Sequence, residues 1–373
     1  MIKLLITDDS ALMRRVLEEI FLEEGDFQVR LARNGTEALE LVRSFDPQVV
    51  TLDVQMPGMD GLTCLSQIMI EAPRPVVMIS SLTAEGAEAT LEAIELGAVD
   101  FVAKPSVTVS LEIDRLRPVL VEKVRAAANA RIRRTLRLTE RVRHRIRGAG
   151  IAVRAQPARA PRKTAAKSRA IGPKGGQRIP GLVLIGTSTG GPAALDVVLP
   201  RLPAGLPWPV LVAQHLPASF TGAFARRLDR ECQLQVVEVD RPMPLEPGTI
   251  YIGRGDGDVT VALRAAGVIA LPAPAKASYL WHPSVERMVA SALENMDASQ
   301  LIGVLMTGMG NDGAEAMKRL RQGGGHTIAE AESTAVVWGM PAELVKNGGA
   351  EMVRRLEDIA PAIVELVGFD AAD

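Results

Sequence analysis

The sequence predicts an α/β protein of two bodies: an N-terminal (βα)5 unit with a parallel sheet, a linker, and a C-terminal doubly wound α/β unit whose sheet is mostly parallel. Three observations predict it. Between residues 2 and 105, short apolar runs alternate with stretches of helical periodicity, and such repetition implies parallel strands with helices on both faces. The alternation resumes at residue 181. Between the two, residues 131–178 hold 16 of the 43 Lys and Arg but only one acid, Glu140. The chain of 373 residues suits two domains of ordinary size, with boundaries expected at 1–122, 123–178 and 179–373.

In the first body, "IKLLIT", "FQVRLA", "PQVVTLD", "PVVMIS" and "DFVAK" are the strands. Between them, "LMRRVLEEIFLEE", "GTEALELVRSF", "GLTCLSQIM" and "AEATLEAIELG" place apolar residues at helical spacing. Residues 111–147 continue as a helix whose polar face becomes almost entirely arginine, and 148–178 then lose all periodicity. Ala, Pro, Gly and basic residues in that mixture make a flexible linker. In the second body the strands are "GLVLIGT", "PVLVAQ", "QLQVVEV", "GTIYIG", "DVTVAL", "LIGVLMTG" and "HTIAEA". The helices are "PAALDVVL", "FTGAFARRL", "SVERMVASALENM" and "GAEAMKRLRQ", and a hairpin is expected between about residues 234 and 272.

Composition excludes several classes. No segment reaches the ~18 to 20 apolar residues of a membrane span. The opening "MIKLLITDDS" meets two aspartates too early for a signal peptide, so it reads as a first strand of a cytoplasmic protein. Cys64 and Cys232 stand far apart, in no metal-ligand spacing, and read as reduced packed thiols. Outside residues 131–178 the chain has 27 basic and 43 acidic residues, so a basic segment joins two acidic bodies. That segment has no aromatic interleaving and no helix-turn-helix pattern, which argues against a nucleic-acid-binding output. It reads as a solvated tether, with electrostatic docking on an acidic partner as the alternative.

The first body gathers carboxylates at strand ends. Asp8 and Asp9 follow the first strand, and Asp53 ends the third. In an open parallel sheet the crevice beyond the carboxyl ends of the strands binds ligands. Three carboxylates there repel one another unless a cation neutralises them, and an all-oxygen site suits Mg²⁺. Ser80 ends the fourth strand and Lys104 the fifth, so a hydroxyl and an ammonium stand ready for the oxygens of a phosphorylated Asp53. Any one of these aspartates alone would read as an ordinary turn residue. Together, through "DDS", "LDVQMPGMDGL", "SSLT" and "FVAKP", residues 1 to about 122 resemble a two-component receiver domain. The resemblance implies that Asp53 accepts phosphate from a histidine kinase. It also implies that Asp8 and Asp9 help to hold Mg²⁺, and that Ser80 and Lys104 sense the acyl phosphate.

In the second body, "GTSTGG" (186–191) runs from a strand into a glycine-rich turn and a helix. Two chemistries use that arrangement: a phosphate cradle at a helix start and an exposed serine on a tight turn. If Ser188 is a nucleophile it needs a base. Of the four histidines, His144 lies in the arginine-rich helix, His282 precedes Pro283 and His326 follows three glycines. His215 ends the strand "PVLVAQH", which a parallel sheet would bring to the rim that holds Ser188. A third group must orient the histidine. "VLMTGMGNDGAEAM" offers Asp312, which on its own would read as a helix N-cap.

These segments, with "QHLPASFTGAFARRL", "HPSVERM" and "VVWGMP", resemble the catalytic domain of chemotaxis-type protein-glutamate methylesterases across residues 180 to about 365. The resemblance implies Ser188 as nucleophile, His215 as base and Asp312 as orienting carboxylate. Thr189 and Met309 would lie beside them, with the Met309 backbone as an oxyanion donor. It implies hydrolysis of glutamate γ-methyl esters on methyl-accepting chemoreceptors, without a cofactor, and deamidation of glutamines by the same route. It further implies a monomer whose unphosphorylated receiver covers the site. The same hydrolase could serve a sensory pathway outside flagellar chemotaxis, since the motifs describe the catalyst and not the target. Two departures from the family pattern, Asp258 in "GRGDGD" where a histidine is frequent and Glu330 near a frequent glutamine, are expected on the substrate-facing surface.

Overall fold

The computed structural model describes residues 1–80, 83–104, 110–130, 179–265 and 267–369. The chain divides into two units, Met1–Pro157 and Ala158–Asp373. In the first, five strands pair in parallel in the order β2-β1-β3-β4-β5. They are β1 (Ile2–Thr7), β2 (Phe27–Ala32), β3 (Val49–Asp53), β4 (Val76–Ser80) and β5 (Asp100–Ala103). The central strands are apolar on both faces because helices cover both, and β3 and β4 are buried at every position. Each intervening helix begins at a side-chain cap. Ser10 starts α1 (Ala11–Glu23), Asn34 α2 (Gly35–Ser44), Asp60 α3 (Gly61–Glu71) and Thr83 α4 (Ala84–Glu95). Helix α5 spans Ser110–Ala128 and is tied down by a buried bond from Lys123 to Asp100 (2.9 Å). The expected arginine-rich continuation and the linker, with His144, lie outside the described residues.

The second unit is built on a seven-stranded sheet in the order β15-β14-β13-β6-β7-β10-β8. Its strands are β6 (Leu182–Thr187), β7 (Val210–Gln214), β8 (Gln235–Val239), β10 (Thr249–Gly253), β13 (Leu301–Leu305), β14 (His326–Glu330) and β15 (Met352–Arg354). Every pairing in it is parallel. From β6 the chain builds outward on one side through β7, and the later strands β13, β14 and β15 build outward on the other. That reversal makes the β6/β13 boundary a topological switch point.

The helices are α6 (Gly191–Val198), α7 (Ala218–Glu231), α8 (Val285–Asn295), α9 (Ala314–Gln322), α10 (Met340–Lys346) and α11 (Leu356–Val367). The core fills with the apolar faces of these helices and strands, among them Leu184, Leu211, Met288, Leu305 and Met317.

The hairpin differs from expectation in its extent. It is formed by β11 (Gly257–Arg264) and β12 (Gly267–Pro274), joined at one edge by the short β9 (Met243–Pro244) as a separate antiparallel sheet. The runs at 235–239 and 249–253 belong instead to the main sheet, where they pair in parallel with each other. The last strand and the last two helices were not legible as such: β15 is only three residues, α10 only seven, and α11 carries Pro361 in its interior.

Candidate active site

At the carboxyl rim of the first sheet, Asp8, Asp9 and Asp53 each bring a carboxylate oxygen within 4.8 Å of the others. The Lys104 ammonium sits 2.7 Å from Asp53 Oδ2 and 2.9 Å from Asp8 Oδ2. Burial pushes the Asp53 carboxyl above its ordinary value and Asp8 adds to this, while Lys104 opposes it. Three carboxylates against one ammonium leave negative charge in a partly buried pocket, a donor set that fits a hard divalent cation. Ser80 is fully buried and its hydroxyl donates to the Gly86 carbonyl (3.2 Å).

In the second unit, three adjacent strands in the order β13-β6-β7 lead into Asp312, Ser188 and His215 respectively. The Ser188 N–H donates to the Thr307 carbonyl beyond β13 (3.0 Å), and the His215 N–H donates to the Thr187 carbonyl before Ser188 (3.2 Å). Gln214, buried between them, donates from Nε2 to the carbonyls of both Ser188 (3.0 Å) and His215 (3.2 Å). The loops approach closely because Gly308 has no side chain: a Cβ there would stand 2.8 Å from Ser188 Cβ and 2.3 Å from Met340 Sδ. The left-handed turn that starts α6 falls on Gly190 (φ 76°) and not on Ser188, so the serine is held without the strain of a nucleophile elbow.

His215 Nε2 lies 2.8 Å from Asp312 Oδ2. A carboxylate only accepts, so Nε2 carries the hydrogen, and in the neutral imidazole the lone pair falls on Nδ1. Nδ1 is buried and has no hydrogen-bond partner. The expected N-cap role of Asp312 is real but is exercised on another helix. Its oxygens accept from Ser284 Oγ (3.0 Å) and from the N–H groups of Val285 (2.7 Å) and Glu286 (3.0 Å), at the start of α8. Its own helix α9 begins at Gly313 without a side-chain cap. Burial pushes the Asp312 carboxyl up, but the hydrogen bonds from His215 and these donors outweigh it and hold the carboxyl below its ordinary value.

With this geometry in view, the likenesses to known proteins are specific. The CheB methylesterase pattern matches residues 183–363, and the response regulator receiver domain pattern matches residues 4–113. Over all 373 residues of both chains, 66% are identical to protein-glutamate methylesterase/protein-glutamine glutaminase 2 of Rhodopseudomonas palustris. The chain belongs to the CheB methylesterase family. A second relative, protein-glutamate methylesterase/protein-glutamine glutaminase 3 of Rhodospirillum rubrum, is 54% identical over 96% of this chain and 95% of its own. The CheB methylesterase catalytic domain of Thermotoga maritima is 35% identical over 50% of this chain and 98% of its own, with a TM-score of 0.48.

The methylesterase unit also contains residues that the sequence reading missed. Trp281 stacks on His215, with ring centroids 5.7 Å apart and planes 9° apart; a tryptophan in a chain with 3% aromatics, next to a His-Pro pair, was the available signal. Thr307 ties the two central loops together, donating from Oγ1 to the Thr189 carbonyl (2.8 Å) and accepting from the Val337 N–H (3.0 Å). Thr189 is buried beside Ser188, and Met309 is half-buried in the loop after Gly308. The Met309 N–H has no partner among the described residues.

Both departures from the family pattern differ from expectation. Asp258 is 2% exposed and Glu330 0% exposed, so neither carboxylate lies on the surface. Glu330 supports the loop that follows β13, accepting from the Thr307 N–H (2.8 Å) and the Thr334 hydroxyl (3.0 Å). His282 pairs with Asp258, and His326 lies at the surface against Glu351.

Proposed function

We propose that the chain is a phosphorylation-regulated serine hydrolase that removes methyl esters from glutamate side chains of chemoreceptors and deamidates receptor glutamines. One observation carries the reading: His215 Nε2 is engaged by Asp312 while Nδ1 is buried and unpaired at the rim that holds Ser188. A phosphate cradle has no need of that pair, so it favours the serine as nucleophile.

In the proposed reaction Nδ1 of His215 takes the Ser188 hydroxyl proton as Oγ bonds to the ester carbonyl carbon. The role played by Nε2 in chymotrypsin-type triads thus falls to the other ring nitrogen. The carbonyl oxygen becomes an oxyanion, for which the unpaired Met309 N–H is a ready donor. His215 returns the proton to the leaving methoxide, and methanol departs. Water then gives a proton to Nδ1 as its oxygen bonds to the acyl carbon, and the Ser188 Oγ–acyl bond breaks as Nδ1 returns that proton to Oγ, yielding glutamate and the free serine. With an amide substrate the leaving group is ammonia. Asp312 stays ionised throughout, fixing the tautomer and balancing the imidazolium. The proposed ester chemistry is carried by the side chains of Ser188, His215 and Asp312 together with the backbone N–H of Met309, and calls on no cofactor.

In the receiver, Asp53 attacks the phosphoryl group of a kinase phosphohistidine, so an O–P bond forms as the N–P bond breaks. Asp8, Asp9 and Asp53 would hold Mg²⁺, which when bound neutralises charge on the transferring group. Lys104 and Ser80 contact the acyl phosphate, and phosphorylation shifts the population toward an active methylesterase. The protein works in the cytoplasm, as a monomer. Among the described residues no helix is long and apolar enough to cross a membrane. The reading is tested by methanol release from methylated receptor. Ser188→Ala and His215→Ala should both abolish it, and full activity in either variant would overturn the assignment.

A further inference from the structure

Asp258 has no part in the chemistry described so far, yet it is one of the most tightly engaged carboxylates in the methylesterase unit. It sits near the start of β11, almost wholly buried. Its Oδ1 lies 2.8 Å from His282 Nδ1 and accepts from the Ser284 N–H (2.8 Å), and its Oδ2 accepts from Arg287 Nη1 (2.7 Å). All three partners belong to the stretch 281–287. That stretch also delivers Trp281, which stacks on His215, and the three donors from Ser284, Val285 and Glu286 that hold Asp312. Ser284 joins the two carboxylates directly, giving its N–H to Asp258 and its hydroxyl to Asp312. The same Arg287 nitrogen donates to the Pro274 carbonyl at the end of β12 (2.7 Å), so the stretch is fastened to the hairpin as well.

We propose that Asp258 is a positioning residue for the catalytic pair. It pins the 281–287 stretch so that Trp281 and the α8 donors hold His215 and Asp312 in register with Ser188. The inference rests on the serine hydrolase reading above. A buried carboxylate with three donors from one short stretch restricts that stretch to one arrangement. Losing the carboxylate strands the N–H of the fully buried Ser284, and it frees Arg287 from one of its two anchors. A displacement of about 1 Å at a catalytic group costs roughly 100-fold in rate. The hairpin that carries Asp258 makes no covalent contribution to the reaction, and its influence runs through the 281–287 stretch.

The test uses the full chain and methanol release from methyl-labelled receptor, with the His215 ring resonances followed by NMR. Asp258→Ala should lower kcat by roughly 10- to 100-fold with KM unchanged, and should abolish the ring-current shift that Trp281 imposes on His215. Asp258→Asn keeps an oxygen for Ser284 and His282 but loses the acceptor for Arg287, and should retain the shift and lose less kcat than Asp258→Ala. A folded Asp258→Ala with wild-type kcat and shift would overturn the proposal. Where Asp258→Ala does not fold, Asp258→Asn decides, because a large loss of kcat with the stack intact would mean the carboxylate acts other than by positioning. Ser188→Ala in the same assay separates the two readings: activity there sinks the hydrolase assignment itself, whereas an inactive Ser188→Ala beside a fully active Asp258→Ala sinks only this inference.

Discussion

Asp53 and Asp312 both stand at the carboxyl rim of a parallel sheet, largely hidden from solvent, yet burial has opposite outcomes for them. Asp53 is pushed above its ordinary value by burial and by Asp8, with the Lys104 ammonium as its main compensation. Asp312 is largely hidden too, but the His215 ring and the N–H groups of Glu286 and Val285 hold it below its ordinary value. The first site is left with excess negative charge, which in the proposed cycle a cation and a phosphoryl group complete. The second is internally satisfied and spends its charge on orienting an imidazole. One architecture thus supports a receptive site and a preorganised one, and the difference lies in how many donors surround the carboxylate.

The largest expected effects break the preorganised side. Ser188→Ala and His215→Ala should each lower kcat by on the order of 10⁶-fold, as for other hydrolase triads. Asp312→Asn should lower it by about 10⁴-fold, because an amide can present its N–H to His215 and leave the wrong tautomer. Single-turnover methanol release distinguishes these from a simple binding defect. On the receptive side, Asp53→Asn should leave basal methanol release intact and remove the phosphodonor-stimulated increment, a coupling of roughly 5- to 150-fold. Stimulation surviving in that variant would break the link between the two sites.

Gly308→Ala probes how closely the loops must meet. Its Cβ would fall 2.8 Å from Ser188 Cβ, and overpacking of this kind costs about 1–3 kcal/mol. The expected result is a lower Tm together with a reduced kcat. A variant of normal stability and rate would show that the loops can part without consequence.

The smallest effect concerns pH. Asp312 is held below its ordinary 3.8, so its stabilising contribution is fully present above pH 3.8 and is lost as pH falls through its lower native value. The stability difference between wild type and Asp312→Asn should therefore shrink under strongly acidic conditions. Asp53 carries the opposite sign: the cost of its burial is present above its raised native value and is relieved as pH falls toward 3.8. Urea unfolding followed by tryptophan fluorescence isolates the first effect, since Trp208, Trp281 and Trp338 all lie in the second unit.

Much of the site was legible because parallel α/β sheets place function at strand ends. Asp53, Ser188 and His215 each follow an apolar run, and Asp312 sits in a glycine-rich loop between a strand and a helix. The strand runs themselves were readable because burial on both faces leaves a continuous apolar signal. The hairpin was harder. Its two strands at 257–274 are longer than the parallel strands at 235–239 and 249–253, but nothing local separates an antiparallel partner from a parallel one. The placement of Asp258 and Glu330 failed for a related reason. A charged side chain usually faces water, and only the donors gathered around these two let them be buried.

The sequence by itself determined two α/β bodies, the aspartate cluster of the receiver and the three side chains of the candidate triad, because each is announced by a local pattern of apolar strand and polar rim. Only the tertiary structure decided which ring nitrogen of His215 meets Asp312, that Asp312 is held by α8 rather than capping its own helix, and that Trp281 and Asp258 belong to the same assembly. Those facts depend on donors and acceptors from residues 215, 258, 281–287 and 312 meeting in space. Hydrogen bonds between segments so far apart in the chain leave no periodicity behind them, so the fold alone could reveal them.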